Sequence, residues 1–419
     1  MSPVSRGRKA KKSKKSGSAK GRRRLDMATA AAFERTLRTL GGLDRETPPP
    51  WFADAIDIAL DDVEALLAAR GPRQLEQAAT ELVGARLRAR LTSDNADGLW
   101  FDWWAEELAT AAADRAVRAA GDPAGGAWRA PWRLLHALLS IGTPPLVARA
   151  RAEIDRCAPA LGALGDVPSW LSLMPHVKAT GELWGLRDAY GTRRAIIAAC
   201  GYPGGLDRHV FLFDLDLSGD GVALVAPGVF ADVEEASAAW RAQVGATADN
   251  AVAAPVDDPT DALALAHVDL DDRMIIGSES GEVLDNWFRA RRRIDDLVTA
   301  LESRGTPLPE PENLFQHGDI SPLTGEFTAW HYAEHGTEPD AEAVEALAAN
   351  WVEDVLPETW YLVSPRRLRI QRELIGDWFP TDPVTLAVKA LLPDWTAWLA
   401  GRAGLPQHLK DEVVAAAAS

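Results

Sequence analysis

Two cysteines in 419 residues, Cys157 and Cys200, are too few for a disulfide framework or a Cys-rich zinc site. Arg, Asp or Glu interrupts every Ala/Leu-rich segment, so the run of about 18 apolar residues that a membrane span requires never forms. No basic region followed by an apolar stretch of signal-peptide type stands near Met1, and a cytoplasmic protein is expected. Phosphate-cradling glycine patterns are missing too. Gly201, Gly204 and Gly205 form neither G-x-G-x-x-G nor a P-loop, and no serine occupies a nucleophile elbow. No internal repeat is visible.

Charge is unevenly distributed. Residues 1–24 contain no Asp or Glu but eleven bases: Arg6, Arg8, Lys9, Lys11, Lys12, Lys14, Lys15, Lys20, Arg22, Arg23 and Arg24. The remaining 34 Lys and Arg face all 61 acids, so the net charge of -16 conceals a body near -27. Residues 1–25, rich in Ser and Gly and nearly devoid of apolar side chains, cannot offset ordering entropy by burial and are expected to be disordered. Such a segment can contact nucleic acid or a nucleoprotein by releasing counterions from phosphates, and it can equally serve as a solubilising arm. The acidic body repels nucleic acid, so any such binding rests on the tail.

What is present is mostly helical patterning. The expected fold is mostly α with a central α+β unit: a helical domain over 26–165, an α+β domain over 178–304 and a helical C-terminal domain over 312–419. Asp26 is a plausible N-cap for a first helix ending near Gly41. Phe52, Ile56, Leu60, Val63 and Leu67 form one stripe, closed by Gly71-Pro72, and Trp100, Trp103, Trp104 and Leu108 form another. Sixteen Trp raise the idea of a stacking platform for bases, but no Lys or Arg is interleaved among Trp100, Trp103 and Trp104, and packing between helices is preferred.

Residues 166–190 read as a hinge with a short helix. Residues 193–244 are the one long strand-like run: Val210, Leu212 and Asp214 alternate with Phe211, Phe213 and Leu215, and Ser218-Gly219-Asp220-Gly221 signals a small antiparallel hairpin. A helix over 232–244, a further strand over 263–270 and a helix from Gly281 complete the central unit. The Pro-rich 307–311 is a linker. Helices are then expected over 344–355, 365–379, 383–392 and 394–403, with a last one from Pro406.

Three motifs touch on chemistry. Asp214, Asp216, Ser218 and Asp220 have calcium-loop alternation, yet the closing position falls on Val225 or Pro227 instead of Glu, so a hairpin turn is preferred. His317-Gly318-Asp319 resembles the catalytic loop of aminoglycoside-phosphotransferase-like kinases, but Thr324 stands where that loop has Asn and no Gly-rich loop lies upstream. His331-Tyr-Ala-Glu334-His335 fits H-x-x-E-H, in which two histidines one turn apart hold zinc and the Glu is general base; Glu412 would be the third ligand. Against this, the segment ends at Gly336, and two histidines in a last helical turn are favoured by the macrodipole without any metal.

The basic arm, the middle segment and IGDWFPTDPVTLAVKALLPDWTAWLAGRAGLPQHLKDEV together resemble an uncharacterised actinobacterial protein group, some members of which carry a SEC-C zinc knuckle. The resemblance implies bacterial, cytoplasmic placement and no activity, and the knuckle's cysteines are absent here. The expectation is thus a non-enzymatic binding protein without a cofactor. Its alternatives are a zinc-dependent hydrolase with Glu334 as catalytic residue and His331, His335 and Glu412 as ligands, or an acidic protein-interaction scaffold.

Overall fold

The computed structural model describes residues 47–93, 100–122, 126–161, 167–219, 222–256, 280–305, 319–353 and 355–418. The basic residues from Arg6 to Arg24, the helix expected after Asp26, the strand expected over 263–270, the linker at 307–311 and His317 lie outside them. Helices flank a small antiparallel sheet on both sides. Among the described residues no helix is long and apolar enough to cross a membrane.

The first block comprises α1 (Trp51–Asp61), α2 (Pro72–Ser93), α3 (Phe101–Ala119), α4 (Arg129–Ile141) and α5 (Pro144–Leu161). Trp103, Trp104 and Phe101 are buried between these helices, where their large apolar area contributes most. The sheet follows: β1 (Lys178–Arg187), β2 (Arg193–Gly201), β3 (His209–Asp216), β4 (Ala223–Leu224), β5 (Gly228–Phe230) and β6 (Ala254–Pro255). Its order is β4-β3-β2-β1-β6, with β5 also on β3, and every pairing is antiparallel.

Period-two alternation separates the faces of the sheet. Ile196, Ala198, Phe211, Phe213 and Leu215 join the apolar core of the first helical block. Leu186, Ala195, Ile197, Val210 and Leu212 pack instead with Ala236 and Trp240 of α6 (Val233–Val244). One continuous core therefore runs through the N-terminal helices, one sheet face and α7 (Gly281–Ser303). At Gly84 in α2 a Cβ would lie 2.3 Å from the Asp285 carbonyl oxygen, so only glycine lets α2 and α7 cross this closely.

β1 corrects the sequence reading, which had a hinge there. A bulge between Ala179 and Leu183 breaks the alternation that would have revealed a strand, with Gly181 at φ 80° inside it. Arg304 donates to the carbonyls of Thr180 and Gly181 and holds the bulge in place.

The C-terminal block has its own core. It contains α8 (Ser321–His335), α9 (Ala341–Val352), α10 (Pro365–Gly376), α11 (Pro383–Arg402) and α12 (Gln407–Ala418), packed on Phe327, Trp351, Trp395 and Leu399. The break expected between 392 and 394 is not there: α11 continues through Pro393. Packing on both sides of Pro393 outweighs the hydrogen bond that a proline removes. Polar contacts help tie this block to the sheet. Arg366 Nε is 2.6 Å from Asp216, Tyr190 donates to Glu412 at 2.8 Å, and the hydroxyls of Ser218 and Ser364 stand 3.5 Å apart.

Candidate metal centre

His331 and His335 occupy the last turn of α8, and a spacing of four puts both rings on one helical face. Their centroids are 4.5 Å apart. Gly336 ends the helix in the left-handed region at φ 73°, its N–H bonding the Tyr332 carbonyl. That reversal brings the Thr337 carbonyl back to His331 Nδ1 at 3.0 Å. A carbonyl only accepts, so Nδ1 carries a proton, and in the neutral ring the lone pair is on Nε2.

Facing that nitrogen is Asp394 of α11. His331 Nε2 lies 3.5 Å from Oδ2 and His335 Nε2 lies 3.4 Å from Oδ1. One ligand atom from each of the three residues falls within 4.8 Å of the other two. A nitrogen lone pair aimed at a carboxylate is repulsive unless positive charge sits between them, as a proton or a metal ion. The spacing suits the latter. Two atoms each about 2.0–2.1 Å from a tetrahedral zinc stand about 3.3–3.4 Å apart. A ring nitrogen donating to a backbone carbonyl is also the usual way a ligating histidine is oriented. His331 is 8% exposed, while His335 and Asp394 lie open to solvent on one side.

The acid that meets the two histidines is Asp394 and not Glu412. Glu412 lies on α12 and takes the Tyr190 hydroxyl. Glu334 is exposed and stands outside the group of three. Asp394 escaped sequence reasoning because a proline before it marked a helix start; the bond from Thr337 has no sequence signature beyond Gly336.

Asp220, like His317 and Gly318, lies outside the described residues, and the described residues of the remaining motifs have structural partners. Arg193 holds both Asp214 oxygens at 2.8 and 2.7 Å, and Trp240 Nε1 adds a third bond at 2.9 Å. Asp216 is engaged by Arg366 and by the Ser218 N–H, so guanidinium groups stand where a calcium ion would need open carboxylates. Asp319 accepts from the Ser321 N–H at the start of α8, and those hydrogen bonds from Ser321 hold its carboxyl below the usual range. Burial pushes the Cys200 thiol up to about 12, which removes the thiolate a nucleophile requires.

Compared with protein-family models, curated proteins and solved structures, the chain matches none.

Proposed function

We propose that the protein is a metal-binding protein whose C-terminal block takes one divalent transition ion at His331, His335 and Asp394. Two imidazoles and a carboxylate suit zinc, with a fourth position left to water or to a partner's side chain. The observation that carries this reading is that His331 Nε2 and His335 Nε2 both face the Asp394 carboxylate, with the His331 ring held at Nδ1 by the Thr337 carbonyl.

Zinc titration of the metal-free full chain by calorimetry tests it. One ion per chain is expected, with affinity in Asp394→Asn and in His331→Gln falling by more than the roughly ten- to hundredfold that loss of a mere orienting partner gives. Glu412→Gln should leave it unchanged. No saturable zinc uptake, or equal loss in Glu412→Gln and Asp394→Asn, would sink the reading.

A second reading rests on the charge split: eleven bases and no acid in residues 1–24, against an acidic remainder. That segment gives the protein salt-sensitive, sequence-blind contact with nucleic acid or a nucleoprotein. Fluorescence anisotropy with labelled RNA and DNA over a salt series should show binding that disappears when residues 1–24 are removed. Binding that survives the deletion, or no binding by the intact chain, rules it out.

A further inference from the structure

Where α2, α7 and the sheet meet, one carboxylate serves two buried cations. Glu76 on α2 is 2% exposed and takes Arg293 Nη2 at 2.6 Å and the Tyr202 hydroxyl at 2.7 Å. Arg293 is hydrogen-bonded to a second carboxylate: Nη1 also reaches Asp296 at 2.8 Å and the Ser140 carbonyl at 3.2 Å, although its Nε, like that of Arg289, has no partner among the described residues. Arg289, one turn earlier and equally buried, is hydrogen-bonded to no carboxylate among them. Its Nη1 stands 3.9 Å from Glu76, too far for a hydrogen bond. Its bonds go to neutral amide oxygens, Gln77 Oε1 at 2.7 Å and Asn286 Oδ1, and its Nε has no partner among the described residues.

Titration behaviour separates the two guanidinium groups in the same sense. Burial works against both charges; Glu76 and Asp296 overcome it at Arg293, whereas burial brings Arg289 down to about 10. A buried charge lacking a hydrogen-bonded counter-charge is costly, and a ligand that supplies one recovers that cost.

Arg289 lines a cavity of about 460 Å³ bounded by α2, β5 and α7. Arg73, Gln74, Gln77 and Asn286 share its wall, which makes the lining rich in guanidinium and amide groups. We propose that this cavity binds a small oxyanion, the phosphate or carboxylate group of a small-molecule ligand, with Arg289 at its floor and Arg73 at its rim. A planar guanidinium matches such a group with paired hydrogen bonds. Glu81, also on the wall, takes Gln77 Nε2 at 2.7 Å and so turns Gln77 Oε1 toward Arg289. Its own charge opposes the anion, but it is exposed and screened by solvent.

Calorimetric titration of the full chain with inorganic phosphate, and separately with succinate, in chloride buffer at fixed ionic strength tests the site. Saturation by either anion is expected, with Arg73→Ala weakening it about tenfold, the loss of one charge-assisted hydrogen bond. Glu81→Gln should tighten it, a change that a merely structural network would not give. Arg289→Met should abolish binding; should that variant fail to fold, Arg73→Ala and Glu81→Gln decide the matter. Replacing His331 and His335 together should leave anion binding intact, which keeps this site separate from the metal centre. Saturation by neither anion, or an affinity unmoved in both Arg73→Ala and Glu81→Gln, overturns the proposal.

Discussion

His136 on α4 has its ring edge against Trp132 at 4.8 Å, and burial pushes its imidazole down to about 4. In the unfolded chain the same group binds its proton near 6.5. Between those values the unfolded state holds more protons than the folded one, so stability falls as pH drops from about 6.5 toward 4. The contribution lost is about 3 kcal/mol, at 1.36 kcal/mol per unit. Urea midpoints at pH 7 and pH 5 should differ in the native chain and differ less in His136→Phe. An undiminished difference in that variant would assign the acid sensitivity elsewhere. Glu76 works in the same direction. Burial raises its carboxyl, but Arg293 and Arg289 outweigh burial and hold it below the ordinary range. Its contribution is therefore present above the unfolded carboxylate pKa and disappears as pH falls through the lower folded one.

Helix crossings depend on single positions. With only 2.3 Å between a Cβ at Gly84 and the Asp285 carbonyl oxygen, a side chain there must drive α2 and α7 apart. Gly84→Val should cost about 3 kcal/mol, at the upper end of overpacking, because backbone and not a flexible side chain stands in the way. A denaturation midpoint within error of the native chain would contradict this crossing. The same displacement would separate Gln77 on α2 from Arg289 on α7, whose hydrogen bond spans the two helices. Anion binding should therefore weaken together with stability in that variant. α8 shows the complementary case: its last turn is closed by the left-handed Gly336, and the placing of the Thr337 carbonyl against His331 depends on that one residue's backbone freedom.

At the scale of the molecule, the core of the N-terminal helices and the core of the C-terminal block meet at the polar pair Asp216 and Arg366 and through Leu356 and Tyr190, each of which packs into the other block's core; a smaller third core lies between the opposite sheet face and α6. A ligand that binds the native state stabilises the unit that holds it, by about 2.7 kcal/mol at a hundredfold excess over Kd. Zinc at that excess should slow hydrogen exchange in peptides from α8 and α11, which carry the three ligands, and leave α2 unaffected. Uniform slowing across both cores would show that they unfold as one unit; no slowing at α8 would remove the metal from this site.

Local chemistry in the sequence was enough for the helical blocks, the opposed faces of β3, the cap at Gly336 and the four-residue spacing of His331 and His335. Each of these follows from a period or a turn preference spanning a few residues. The bulge in β1 hid a strand, because extra residues shift the alternation on which strand recognition depends. Pro393 hid the continuity of α11 and with it the place of Asp394, since packing decides whether a helix survives a proline. The partners of Glu412, Asp214 and Arg289 were equally invisible. Ion pairs between distant segments are set by which helix crosses which, and that is decided only when the cores close around them.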